Sequence, residues 1–251
     1  MNAAIKNAVL SLAALIERDR GPKFVFYHDV HAGNAYTHMS TRFSQFQMHI
    51  ERAVGDGFKF AEGVPKALGE LQICFDDGFR GLYECREYFV VQKLHPIVSV
   101  APQLVGRAGY MTWEELSELS SIGFNIGSHT WSHRTLTEVP VNELGRELGD
   151  SRKMIADKIG RTVDSICFPR GVFSRRILDM SMEAGYRILY ASVPGRINAL
   201  QGLIVTEADN VCLYPRHLVQ ASGEKEFQNI LNGAMNPFVS YYFKRHFKGG
   251  R

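Results

Sequence analysis

The sequence predicts an α/β protein built on one parallel sheet or barrel, and three observations carry that expectation. At least six apolar strand-like runs alternate with amphipathic helical segments. Polar and charged residues collect just after the strand runs, at the edge where α/β folds keep their chemistry. The 251 residues, 45% hydrophobic and 22% charged, suit a single barrel, and no Pro-, Gly- or Ser-rich linker divides them.

The elements follow in order. Residues 8 to 16 (Ala-Val-Leu-Ser-Leu-Ala-Ala-Leu-Ile) stand behind Lys6 like the apolar part of a secretion signal. Glu17-Arg18-Asp19-Arg20 comes next without a small-residue cleavage site, so residues 1–22 are expected to form an amphipathic helix. No run approaches the ~18 apolar residues of a membrane span, and the expected location is the cytoplasm. A main domain is expected over 23–235. In it, Lys23–Tyr27 reads as a strand that ends in His28-Asp29-Val30-His31. Ser40 or Thr41 is placed to cap a helix bearing Phe43, Phe46, Ile50 and Val54, closed by Gly55 and Gly57. A short strand near 58–60 precedes the run 71–75. Residues 80–93 are amphipathic, and 96–100 is a further strand. Thr112 with Glu115 makes a capping box for a helix that ends at Gly123. The strand 124–127 runs into Ser128-His129-Thr130-Trp131-Ser132-His133. A long helix over 141–159 closes at Gly160, and the strand 164–168 breaks at Pro169-Arg170-Gly171. A helix from Ser174 to Gly185, a strand over 186–191 and a strand over 210–214 ending at Pro215-Arg216 complete the series.

Charge and cysteine content narrow the partners. The net charge is +3, and the last eleven residues hold Lys244, Arg245, Lys248 and Arg251 without an acid. The rest of the chain is thus near −1, and no contact with nucleic acid is expected. The segment 236–251 is read as a basic aromatic tail. With Tyr241, Tyr242, Phe243 and Phe247 interleaved, it fits a membrane-surface contact or a final helix with a frayed end. Cys74, Cys85, Cys167 and Cys212 show no paired spacing, so reduced thiols are expected, with Cys74 and Cys167 acting as small hydrophobes in strands.

Two clusters carry chemistry. The run Leu71-Gln72-Ile73-Cys74-Phe75 stops abruptly at Asp76-Asp77-Gly78. Such a run, bounded by turn residues, fits a buried parallel strand, and the glycine permits a tight turn. Neighbouring side chains at a strand end point different ways, so one carboxylate is free to hold a cation while the other moves a proton. By itself the tripeptide reads first as an acidic turn that caps the next helix, and only partners elsewhere in the chain reverse that. His129 and His133 are the single pair spaced by four among nine histidines. In a helical turn they would share a face and a cation. Two nitrogens and one carboxylate oxygen leave a fourth position open for water, as hydrolytic Zn²⁺ sites require. Metalloproteases that space histidines by four place Glu directly after the first; Thr130 stands there, which disfavours that class.

The series Tyr27-His28-Asp29-Val30, Phe75-Asp76-Asp77-Gly78, His129-Thr130-Trp131-Ser132-His133 and Phe168-Pro169-Arg170-Gly171 resembles the NodB-homology polysaccharide deacetylases over roughly residues 23–220. Residues 111–116 (Met-Thr-Trp-Glu-Glu-Leu) and Glu183-Ala184-Gly185-Tyr186 add to the likeness. Tyr27-His28 is similar to the strand end that opens a permuted branch of the family. The resemblance implies a distorted (β/α) barrel of about seven parallel strands that hydrolyses the acetamide of an amino sugar, typically N-acetylglucosamine, in a glycan or glycan precursor. It implies Asp76 as base, Asp77, His129 and His133 as ligands of a divalent metal, and His28 as acid, with Asp29 or His31 to orient it. Ligand type favours Zn²⁺, with Co²⁺ or Ni²⁺ also fitting. The chemistry is consistent: an amide needs a polarised carbonyl, a base for water, a fixed donor for the oxyanion and an acid for the amine. A backbone N–H of the Pro169-Arg170-Gly171 turn is the expected oxyanion donor.

Two departures accompany the likeness. Phe168 precedes Pro169 where the family often has arginine, and Arg170 stands at a tyrosine position. Arg216 is expected to replace the missing arginine as partner of Asp76, although its position also fits a surface arginine after a strand. Arg170 adds a cation that suits an anionic or phosphate-linked sugar. The alternatives are a catalytically silent carbohydrate-binding protein on this fold and an amidohydrolase for a small non-sugar amide.

Overall fold

In the computed structural model, which describes residues 3–201 and 211–249, the strands are β1 Lys23–Tyr27, β2 Asp29–His31, β3 Ser40–Arg42, β4 Lys59–Phe60, β5 Glu70–Phe75 and β6 Ile97–Val100, followed by β7 Asn125–Ser128, β8 Ser165–Cys167, β9 Ile188–Tyr190, β10 Cys212–Tyr214 and β11 His217–Leu218. Eight of them pair in the order β10-β9-β8-β7-β6-β5-β1-β11, every pairing is parallel, and β4 adds to the start of β5. The two ends of this order, β10 and β11, are separated in the chain by Pro215 and Arg216 alone. Three Cα steps span at most about 11 Å, so the sheet must curl until its edges meet. The result is a (β/α) barrel with its seam at Arg216.

Alternation along the strands gives the barrel two separate apolar layers. Phe24, Phe26, Cys74, Ile97, Cys167 and Tyr190 form one buried cluster, the barrel interior. Their neighbours Val25, Tyr27, Ile73, Phe75, Val98 and Ile166 belong to the larger cluster shared with the surrounding helices. Those helices include α1 Ala3–Glu17, α2 Phe43–Gly55, α3 Arg80–Glu84, α4 Arg86–Val91, α5 Trp113–Ser121, α6 Val141–Gly145, α7 Ser151–Ile159, α8 Arg175–Glu183, α9 Glu224–Leu231 and α10 Val239–His246. The capping box of α5 is present, with the Thr112 hydroxyl accepting from Glu115 N–H and the Glu115 carboxylate accepting from Thr112 N–H. No helix of the described residues is long and apolar enough to cross a membrane.

Several local expectations need correction. Ser40 and Thr41 do not cap α2; they lie in β3, and their hydroxyls are spent on Asp29 Oδ2 (2.7 Å) and Gln220 O (2.9 Å). Residues 80–93 break at Cys85 into α3 and α4. The helix over 141–159 is interrupted by a π-turn at Arg146–Asp150, a distortion that often marks a working site. The strand over 210–214 is seen from Cys212, and Asn210 lies outside the described residues. Nor does 236–251 stand apart: Phe173 N–H donates to His246 O, Lys248 N–H donates to Phe173 O, and Phe173 packs on Phe243 and Phe247. Tyr241, Lys244, Arg245 and Lys248 remain exposed; Arg251 is outside the described residues.

Candidate metal centre and active site

The C-terminal ends of β1, β5, β7 and β8 bring the candidate side chains together with the β10–β11 seam. Asp76 lies two residues beyond Cys74 and continues its inward direction, while Asp77 turns away with a φ of +73° and Gly78 follows at +79°. A Cβ on Gly78 would sit 2.9 Å from Val100 Cγ1, so this turn requires glycine in both conformation and space. Asp29, the first residue of β2, holds the start of α3 just after this turn by accepting from Leu82 N–H at 3.1 Å.

His129 and His133 converge on Asp77, but not through a helical turn. They sit on a loop in which Thr130 and His133 take φ values of +64° and +62°. Positive φ is unfavourable for these residue types, and the surroundings must hold it. Glu147, buried on the π-turn, does so: its carboxylate accepts from Trp131 N–H and Ser132 N–H (both 3.0 Å), Ser132 Oγ (2.6 Å) and Arg134. Thr130 Oγ1 also accepts from His133 N–H at 3.2 Å.

The geometry at Asp77 fits a divalent cation. His129 Nε2 and His133 Nε2 lie 3.2 and 3.0 Å from Asp77 Oδ1, and the donor atoms of the three residues are all within 4.8 Å of one another. Asp77 Oδ1 is nevertheless buried without a directed hydrogen bond. His129 Nδ1–H donates to Cys167 O at 2.8 Å, which puts the lone pair of the neutral ring on Nε2, facing Asp77. Burial alone would raise the Asp77 carboxyl; when no cation is bound and His129 and His133 carry protons on Nε2, their hydrogen bonds and charge outweigh it and hold the carboxyl well below the usual range.

Beside this cluster, Arg216 grips Asp76. Its Nη1 and Nη2 donate to Asp76 Oδ1 and Oδ2, both at 2.8 Å, and the guanidinium is fully buried over the Phe26 ring, 4.3 Å from its centroid. Burial would raise the Asp76 carboxyl; the charge and hydrogen bonds of Arg216 outweigh it and keep Asp76 below its ordinary value, hence ionised at neutral pH. Nη2 also lies 2.8 Å from Cys167 Sγ, which is 3.5 Å from Asp76 Oδ2. Cys167 is thus a polar neighbour of the carboxylate rather than only a small hydrophobe. Asp76, His129 and Cys167 also have ligand spacing, yet Arg216 already supplies the positive charge there.

His28 follows Phe26 toward the barrel mouth, with the two rings 5.9 Å apart. Neither Asp29 nor His31 orients it, because Asp29 faces Ser40 and Leu82, and His31 Nδ1 faces Gly33 O at 3.0 Å. The contact on His28 Nδ1 is Gln220 Oε1, at 2.6 Å. In the third motif, Pro169 lacks an N–H, Gly171 N–H donates to Phe168 O and Val172 N–H donates to Pro169 O, while Arg170 stands exposed at φ +57°. Glu147 and Gln220 escaped sequence reasoning. A charged residue inside the apolar stripe of Leu144, Leu148, Ser151 and Ile155 was a usable signal for Glu147; Gln220 offered none.

A parallel (β/α) barrel with two carboxylates and two imidazoles gathered at its C-terminal mouth has the layout of a barrel enzyme with a candidate metal centre. The model of the polysaccharide deacetylase family matches residues 69–189, a segment that contains Asp76, Asp77, His129 and His133. YxkH of Bacillus subtilis (strain 168), assigned by its name to the polysaccharide deacetylases, is 22% identical over 191 residues, 71% of this chain and 67% of that protein. An uncharacterised 30.6 kDa protein of Geobacillus stearothermophilus is 27% identical over 141 residues, so this chain is matched over 53% of its length and spans about half (51%) of that relative. Among solved structures, the Streptococcus pyogenes deacetylase PplD in complex with acetate superposes with a TM-score of 0.72 at 18% identity, over 86% of this chain and 98% of that one.

Proposed function

We propose that the protein is a metal-dependent N-deacetylase that hydrolyses the acetamide of an amino sugar within a glycan or glycan precursor. One observation carries this reading: Asp77, His129 and His133 converge within 4.8 Å, and the Arg216-held Asp76 lies directly beside Asp77. The family and the barrel agree with it. Asp77, His129 and His133 are the residues that would hold the ion, Zn²⁺ by ligand type with Co²⁺ or Ni²⁺ also matching. Such an ion supplies Lewis-acid polarisation of the carbonyl and makes water more acidic.

The chain's own groups do the rest. Asp76, kept ionised by Arg216, accepts the proton that water loses as its oxygen bonds to the acyl carbon. Arg170 N–H is the donor the third-motif turn leaves for the developing oxyanion, since Gly171 and Val172 have committed theirs. His28 gives a proton to the nitrogen as the C–N bond breaks, so that acetate and a free amine leave. The exposed Arg170 guanidinium stands at the same turn and suits a substrate carrying an anionic group.

The test pairs two measurements on the purified protein: divalent metal content, and acetate release from chito-oligosaccharides and other N-acetylhexosamine oligomers. Bound metal with chelator-sensitive acetate release is the expected result. A sample that binds no divalent metal and releases no acetate would refute the reading. Glycan retention without turnover, unchanged by Asp76→Asn, would instead identify a binding protein.

A further inference from the structure

His28 needs a fixed ring to deliver a proton in one direction, and the fold supplies the means from a distant segment. Gln220 arrives from the loop after β11, 192 residues along the chain, and places Oε1 2.6 Å from His28 Nδ1. That loop is tied down at several points. Val219 N–H donates to Phe26 O (3.2 Å), Thr41 Oγ1 to Gln220 O (2.9 Å), and Gln45 Nε2 and His49 Nε2 to Ser222 O (both 2.8 Å). His49 is itself locked, because its Nδ1 accepts from Tyr27 OH at 2.9 Å and its ring stacks on Phe227 at 4.2 Å. The buried pair of Tyr27, at the end of β1, and His49 of α2 thus fixes the backbone that carries Gln220.

We propose that Gln220 is the positioning residue of His28, an inference that rests on the deacetylase reading and deepens it. The amide oxygen keeps a proton on Nδ1 and leaves Nε2 to face the barrel mouth and the leaving amine. A carbonyl oxygen accepts from Nδ1–H whether the ring is neutral or an imidazolium, so the orientation survives proton transfer. Asp76 acts on His28 through its charge but is paired with Arg216, which lies over Phe26; Asp29 and His31 are turned to other partners. The group on Nδ1 is therefore uncharged.

Two variants test this. Gln220→Met keeps the side-chain length and removes the acceptor, whereas Gln220→Glu keeps the acceptor and adds charge. Long-range ¹H–¹⁵N spectra of the imidazoles, with His28 assigned from a His28→Gln sample, are expected to show neutral His28 protonated on Nδ1 in the parent and shifted toward the Nε2–H tautomer in Gln220→Met. Acetate release by Gln220→Met is expected to lose about tenfold to a hundredfold in kcat with KM and bound metal unchanged. Gln220→Glu is expected to retain most of kcat and to move the alkaline limb of the pH–rate profile upward by about one unit, since a carboxylate favours the imidazolium. An identical tautomer in parent and Gln220→Met, or an unmoved limb in Gln220→Glu, overturns the proposal. A parent that releases no acetate sinks the deacetylase reading instead, and the tautomer comparison still decides the role of Gln220.

Discussion

Replacing Arg216 by methionine probes the most heavily buried polar contact of the site. Arg216 makes two charge-assisted bonds to Asp76 at 2.8 Å, and neither side chain has meaningful solvent access. Methionine leaves a carboxylate in the barrel interior without its counter-charge, which costs about 3–5 kcal/mol of stability. The carboxylate relieves part of that cost by taking up a proton. With the guanidinium gone, burial acts unopposed and lifts the Asp76 carboxyl above its ordinary value in the variant. The sign of the pH dependence therefore inverts. In the parent, the lowered Asp76 carboxyl contributes stability that is complete above the ordinary carboxylate pKa and is lost as pH falls through the folded-state value. In Arg216→Met, stability instead declines as pH rises through the raised folded-state value. Since the base must be ionised, the acidic limb of kcat/KM is expected to move to higher pH. Asp76→Asn in the Arg216→Met background removes the stranded charge and restores most of the lost stability. Urea unfolding of parent, both single variants and the double variant measures the coupling. An Arg216→Met protein within about 1 kcal/mol of the parent, or a double variant no more stable than the single one, would refute the reasoning.

Three further outcomes are expected. Dialysis against a chelator abolishes acetate release and Zn²⁺ restores it, while Asp77→Asn binds Zn²⁺ at least about a hundredfold more weakly by titration calorimetry; unchanged affinity would remove Asp77 from the ligand set. Glu147→Ala frees the loop that holds Thr130 and His133 at positive φ, and Zn²⁺ affinity falls about tenfold to a hundredfold even though Glu147 ligates nothing; an unaffected affinity would mean that the loop keeps its own shape. Burial pushes the Asp29 carboxyl up to about 6, above its unfolded value, so the parent loses up to about 3 kcal/mol of stability as pH rises from 4 to 7; Asp29→Asn, which resembles the protonated form, shows no such loss in urea midpoints measured across that range.

Much of the scaffold was legible because it is written in short-range periodicity. Apolar runs of strand length, the Thr112–Glu115 box and the glycine stops each report on a few neighbouring residues, and those local preferences agree with the fold. Legibility failed where a side chain answers to something distant. Ser40 and Thr41 have the chemistry of helix caps, but β3 turns their hydroxyls to Asp29 and Gln220. His129 and His133 have helical spacing, yet a loop with two left-handed residues brings them together under restraint from Glu147.

By itself, the sequence determined which chemical groups end the strands: two adjacent carboxylates, an imidazole pair and a turn broken by proline. Strand period and turn residues are local properties, so no partner was needed to read them. The sequence offered Arg216 both as partner of Asp76 and as a surface residue, and the tertiary structure decided for the first; it alone placed Gln220 against His28. Both come from the seam where β10 and β11 close the curled sheet, and closure depends on the summed twist and pairing of all the strands, not on any residue near Arg216 or Gln220 in the chain.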